Sequence, residues 1–263
     1  MWNLVGASVT GTSHFKTGLP CQDYCRHDVF TARGQQCVAL ALSDGAGSAS
    51  HSHIGSKIAV DTALRTVATL LQESEIFTEE MAVRVLECAK TEIQVCAEKA
   101  QLAPRNFACT LLFAVLKADV AYFAQLGDGG WVARIGESLI PVIWPFRGEY
   151  ANETFFLTST NWKTGFQFET LAMPITAVAG FTDGVQPVAL QYDTRSVHEP
   201  FFAPLFKVLE GTSDANSLQA PLEGFLDTDS LNERTDDDKT LLLAVRRQLR
   251  LLEWTTLTTT KTE

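Results

Sequence analysis

Four aspartates stand at the ends of apolar, strand-like runs: Asp44, Asp128, Asp183 and Asp237. Three close such a run and are followed by glycine, in VALALSDG, VAYFAQLGDG and ITAVAGFTDG; the fourth opens one, in DDDKTLLLAV. A strand end holds a carboxylate rigidly, and antiparallel pairing sets the start of one strand beside the end of its neighbour. Carboxylates gathered at one sheet edge repel unless a cation neutralises them. Oxygen-only ligands favour Mg, Mn or Ca over zinc or copper. The pattern points to a metal-dependent phosphohydrolase. Singly, each Asp-Gly is also an ordinary turn dipeptide, and Asp236-Asp237-Asp238 also reads as a solvated loop. Their joint placement beside unusually apolar runs carries the metal reading.

Bulk properties narrow the partners. With 46% hydrophobic and 20% charged residues among 263, the chain can bury a sizeable core. A formal net charge of −10 speaks against general nucleic-acid or anionic-membrane affinity, which needs basic patches. No apolar stretch approaches the roughly 20 residues that span a bilayer. The N-terminus lacks the basic start and apolar segment of a signal peptide. A cytoplasmic, monomeric protein with six reduced cysteines is the expectation. Cys21 and Cys25, with His14 and His27, lack the spacing of a zinc knuckle, and buried or surface thiols are the plainer reading.

The order of elements predicts the fold class. Residues 3–10 and 37–43 read as strands, with the turn-rich GTSHFKTGLPCQD between them. Apolar residues recur at helical spacing from about Ile54 to Leu71, and a second helix starts after the N-cap Thr78 and ends before Pro104. Strands follow at 108–116, 120–126, 131–135 and 139–144. Residues 145–170 read as irregular. A strand near 175–182, helices near 199–210 and 214–226, and a last strand at 240–246 complete the pattern. This order predicts an α+β fold, with one domain over residues 1–250 and a disordered Thr-rich tail over 251–263.

At the joint pattern the chain resembles the type 2C, or PPM, metal-dependent Ser/Thr protein phosphatases, in particular a compact bacterial branch. Gln22-Asp23, Ser43-Asp44-Gly45-Ala46-Gly47, Phe107-Ala108-Cys109-Thr110, Leu126-Gly127-Asp128-Gly129, Phe181-Thr182-Asp183-Gly184-Val185 and Asp237-Asp238-Lys239-Thr240 follow the family's motif order. The resemblance spans about residues 5–246. It implies an antiparallel β-sandwich flanked by helix pairs, in α-β-β-α layers, with two Mn2+ or Mg2+ ions, and a third more weakly held, at one end of the sheets. Asp44 would bridge two ions. The Gly45 carbonyl would help hold one, and Asp183 with Asp237 the other; Asp128 with Asp183 would match the third position. Asp23 would orient metal-activated water from behind these ligands. The implied reaction is in-line attack of that water on a phosphoserine or phosphothreonine of a protein substrate, opposing a Ser/Thr kinase.

Asp237-Asp238-Lys239-Thr240 replaces the family's Asp-Asn-x-Thr, and three further positions depart from the pattern. The phosphate-binding arginine of some members is Gly18 here, with Lys16 and Arg33 as substitutes to consider. The family's glutamate is Gln22. The histidine that some members carry after Asp-Gly is Ala46, leaving His14, His51 and His53 as candidate acids beside their plain surface or capping roles. The 145–170 segment, with Arg147, stands where the family has a variable flap, and contact with the protein substrate is the expectation there. Against an active phosphatase stands a catalytically silent metal-binding regulator that recognises phosphorylated partners. A phosphodiesterase or nuclease fits the acidic balance poorly.

Overall fold

Two five-stranded antiparallel sheets lie face to face, and every strand that ends in a motif aspartate ends on the same side of the stack. The structure is a computed structural model and describes residues 1–145 and 154–247. One sheet has the order β1 (Trp2–Val9), β12 (Lys239–Arg246), β9 (Ala177–Phe181), β6 (Gly130–Ile135) and β7 (Ser138–Ile143). The other has the order β2 (Tyr24–Ala32), β3 (Gln35–Ser43), β4 (Leu111–Leu116), β5 (Ala121–Leu126) and β8 (Phe166–Leu171). Helices α2 (Ser52–Glu73) and α3 (Glu79–Ala100) pair over the second sheet; α5 (Glu199–Gly211) and α6 (Gln219–Leu226) cover the first. The short helices α1 (Thr12–Thr17), α4 (Gln186–Ala189) and α7 (Asp229–Asn232), and the two-stranded pair β10 (Leu190–Gln191) and β11 (Ser196–Val197), fill the connections. The α-β-β-α expectation holds.

Strand periodicity produces these layers. Alternate residues of each central strand face opposite sides, so the strands feed three separate apolar clusters. Leu40, Leu42, Leu112, Phe123, Trp131, Val178 and Leu242 meet between the sheets. Ala39, Ala41, Phe113 and Val115 face α2 and α3. Leu241 and Leu243 face Phe202, Phe206 and Leu222 on the opposite side. Because both faces are covered, the central strands read as continuous apolar runs. Helix α3 begins as expected: the Thr78 hydroxyl accepts from Met81 N, with Glu79 and Glu80 in the first turn.

Besides the short β10–β11 pair, two strands escaped the sequence reading, and both are edges of the second sheet. β2 follows the turn-rich segment, where no element was assigned, and β8 falls almost wholly in the segment read as irregular. Each pairs on one side only, β2 with β3 and β8 with β5. Their exposed faces carry Arg26, Asp28 and Glu169, which dilutes the apolar signal. The β2–β3 hairpin closes through Arg33 and Gly34, with φ of 49° and 79°. The strand expected from 108 begins at Leu111, after a 3-10 turn at Pro104–Phe107. The tail at 251–263 and Arg147 lie outside the described residues. Among those described, no helix is long and apolar enough to cross a membrane.

Candidate metal centre

The two sheets bring the motif carboxylates to one cleft of about 530 Å3. Asp44 follows β3 in one sheet; Asp183 follows β9 and Asp237 precedes β12 in the other; Asp128 sits in the turn where the chain passes from β5 to β6. Carboxylate oxygens of Asp44, Asp128 and Asp183 all lie within 4.8 Å of one another. Asp237 lines the same cleft but stands outside that tight set. Gly45 lines it too, and its Cα is crowded by the Gln22 carbonyl, 2.7 Å from where a Cβ would stand. Gly184 is tighter still: a Cβ there would lie 1.9 Å from the Asp238 carbonyl oxygen.

Asp23 occupies a different place from the other four. It is 6% exposed and does not line the cleft. Its Oδ2 accepts the hydroxyls of Thr182 and Thr240, each at 2.7 Å. Thr182 in turn receives the N–H of Thr240 at 3.0 Å. Asp23 therefore clamps the end of β9 to the start of β12, the two strand ends that present Asp183 and Asp237.

The electrostatics are those of a site that wants positive charge. Burial, followed by the charges of Asp183, Asp23, Asp128 and Asp237, pushes Asp44 well above the usual carboxylate range. Burial, then Asp128 and Asp237, does the same to Asp183. Burial also raises Asp237 and lifts Asp23 to about 7 despite its two threonine donors. Asp128 Oδ2 accepts the Thr154 hydroxyl at 2.5 Å, while its Oδ1 is buried without a hydrogen-bond partner. An all-carboxylate donor set with mutual repulsion and an orphaned buried oxygen fits divalent Mg or Mn. The cysteines do not take part. All six are free, and burial pushes the Cys25 and Cys109 thiols up to about 12.

The departing positions fall out as follows. Gly18 caps α1 with φ of 71°, and Lys16 does not line the cleft. Arg33 lies at the far end of the β2–β3 hairpin, against Gln72 and Glu75, so it cannot serve the cleft. His51 packs against Phe107 with its ring tilted and its Nδ1 on Ser50, and neither it nor His53 lines the cleft. His14 does, and its Nδ1 is 3.0 Å from Asp238 Oδ1. Asp238, which sequence reasoning treated only as a neighbour of Asp237, is 2% exposed and central: it accepts Gly11 N at 2.7 Å and Gln22 N at 2.5 Å. Its signal was the carboxylate in place of the family's asparagine. Of the 145–170 segment, Thr154 and Phe156 reach the cleft wall.

A family model described as Protein phosphatase 2C matches residues 10–227. The chain belongs to the protein phosphatase 2C family. It is 37% identical over 248 residues to Serine/threonine-protein phosphatase 3 of Escherichia coli (strain K12), covering 93% of this chain and 98% of that one. Among solved structures, a serine/threonine phosphatase of S. agalactiae aligns with a TM-score of 0.57 at 13% identity, over 93% and 99% of the two chains. A serine/threonine phosphatase from Staphylococcus aureus aligns with a TM-score of 0.55 at 14% identity, over 94% and 96%. These structures share the fold. As a protein phosphatase 2C member the chain is an enzyme, a phosphoprotein phosphatase of the Ser/Thr class.

Proposed function

We propose that this phosphatase hydrolyses phosphoserine and phosphothreonine in proteins at a binuclear Mn or Mg centre, opposing a Ser/Thr kinase in the cytoplasm and working as a monomer. The observation that carries this reading is the packing of Asp44, Asp128 and Asp183 within 4.8 Å, with Asp237 on the same cleft. Asp44, the Gly45 carbonyl, Asp183 and Asp237 would hold the two ions, and Asp128 with Asp183 a third. When bound, such ions lower the pKa of water far below its bulk value of about 15.7 and offset charge on the phosphoryl oxygens.

The chain's own contribution is placement. Asp44 comes from one sheet and Asp183 and Asp237 from the other, so neither sheet alone assembles the set. Asp23, through Thr182 and Thr240, keeps the two strand ends of the first sheet, those of β9 and β12, in register. Rigidly held carboxylates cost no reorganisation when charge shifts during the reaction. Thr154 and Phe156 stand where a protein substrate would meet the cleft rim.

The test is hydrolysis of a phosphothreonine peptide with Mn2+, with EDTA, and by Asp183→Asn and Asp237→Asn. Turnover that needs both the metal and the two aspartates is expected. Absence of turnover in folded protein that binds Mn2+ by calorimetry would sink the reading and favour a silent regulator.

A further inference from the structure

We infer that a groove beside the metal cleft seats an anionic side chain of the substrate protein, a few residues from the phosphorylated one, and that Arg105 selects it. The inference rests on the phosphatase reading above and adds a substrate preference to it. This groove, of about 590 Å3, shares Ala46, Ser48 and Phe156 with the cleft that holds Asp44, Asp183 and Asp237. A peptide lying across the cleft therefore has the groove as its next surface. Among the described residues Arg105 is the one charged side chain on the groove wall.

Local structure fixes the backbone that carries this arginine. Pro104, with its restricted φ, opens the 3-10 turn Pro104–Phe107. The turn packs closely on α2: a Cβ on Gly55 would stand 2.1 Å from the Phe107 carbonyl oxygen. The Asn106 carbonyl accepts His51 N at 2.8 Å, and Asn106 Nδ2 donates to Ser50 Oγ at 3.1 Å. Ser159, on the same groove, is held through its carbonyl by Lys90 Nζ at 2.8 Å. The walls are tied down, while Arg105 itself is exposed.

The charge of Arg105 is unanswered within the described chain. Arg26, Arg33 and Arg134 each meet a carboxylate, of Asp61, Glu75 and Glu210. Arg105 meets none among the described residues, and no Asp or Glu lines the groove. A guanidinium receives a carboxylate or a phosphate through two parallel N–H bonds. The aspartates of the cleft repel a second anion on the substrate, so charge complementarity directs it toward Arg105. Arg105 does not line the cleft itself, which sets it beside the reacting phosphate rather than on it. Ser48, Asn106 and Thr158 add uncharged polar groups that suit a peptide backbone.

The test uses Mn2+-loaded enzyme and phosphothreonine peptides. One peptide has neutral flanks; the others carry a glutamate, or a phosphonate analogue of phosphoserine, at each flanking position in turn. We expect kcat/KM for the best anionic peptide to exceed that of the neutral one by about three- to tenfold, through KM. The gain should shrink as salt rises. Comparing glutamate with phosphonate tells a carboxylate from a second phosphate as the favoured anion. In Arg105→Ala the ratio of anionic to neutral peptide should fall to near one. In Arg105→Glu it should invert, with lysine at the same flanking position becoming the better residue, a gain that misfolding cannot produce. Three results would overturn the assignment: no preference for an anion at any position, a preference that survives Arg105→Ala, or equal losses on neutral and anionic peptides. The last would put Arg105 on the reacting phosphate instead. A parent enzyme that turns over no peptide would fail the phosphatase reading itself, and this inference with it.

Discussion

Gln22 donates its backbone N–H to Asp238 Oδ2 at 2.5 Å, joining positions 216 residues apart in the chain. At both ends of this bond the sequence departs from the family pattern: glutamine stands for glutamate at 22, and aspartate for asparagine at 238. The carboxylate missing from one partner is present on the other. The site has therefore moved a negative charge rather than lost one. Asp238 accepts Gly11 N on Oδ1 and Gln22 N on Oδ2, and His14 Nδ1 lies 3.0 Å from its Oδ1.

Restoring asparagine at 238 is predicted to weaken the protein. An amide has one acceptor oxygen, and Gly11 N and Gln22 N approach different oxygens of Asp238, so the NH2 group must face one of them. Leaving a buried donor unsatisfied costs about 1–3 kcal/mol. Urea denaturation of Asp238→Asn should show a loss of that size, and an unchanged midpoint would contradict the bonding described for Asp238.

The metal-free protein is predicted to lose stability as pH rises. In the folded state Asp23 is lifted from an ordinary 3.8 to about 7, and Asp44, Asp183 and Asp237 are also raised, chiefly by burial. Between the unfolded and folded values the native state binds more protons than the unfolded one, so the slope of stability with pH is negative. The melting temperature in EDTA should therefore be higher at pH 5 than at pH 8. Adding Mn2+ at pH 8 should raise it, because the ion binds the native cluster. A melting temperature that climbs from pH 5 to pH 8 in EDTA would contradict the assigned repulsion.

Gly184→Ala is predicted to disturb the first sheet's half of the site. The added Cβ would stand 1.9 Å from the Asp238 carbonyl oxygen, a backbone atom that cannot swing away. Overpacking of this kind costs about 1–3 kcal/mol. Because the strain falls between Asp183 and Asp238, calorimetric Mn2+ affinity should drop together with stability. Wild-type affinity in the variant would show that the contact does not set the ligands.

How much of this was legible depends on which side of a strand faces solvent. The central strands β3, β4, β5, β9 and β12 are covered on both faces, and their unbroken apolar runs announced them, with the aspartates at their ends. β2 and β8 are edges with polar faces, so TyrCysArgHisAspValPheThrAla hardly reads as a strand without knowledge of β3 beside it. Asp44, Asp128 and Asp183 were readable because each follows a core strand directly. The part played by Asp238 and the separation of His14 from His51 and His53 were not, because they arise from contacts between distant segments. Local spacing carries no trace of a bond across 216 positions.

β12 lies between β1 and β9, and Asp237 and Asp238 immediately precede it. Until that strand leaves the ribosome, β1 and β9 have no neighbour to bridge them, and Thr182 and Asp23 lack Thr240. A nascent chain thus holds its first three cleft aspartates without the framework that aligns them. The four-aspartate set is complete only once β12, the last strand of the chain, pairs between β1 and β9.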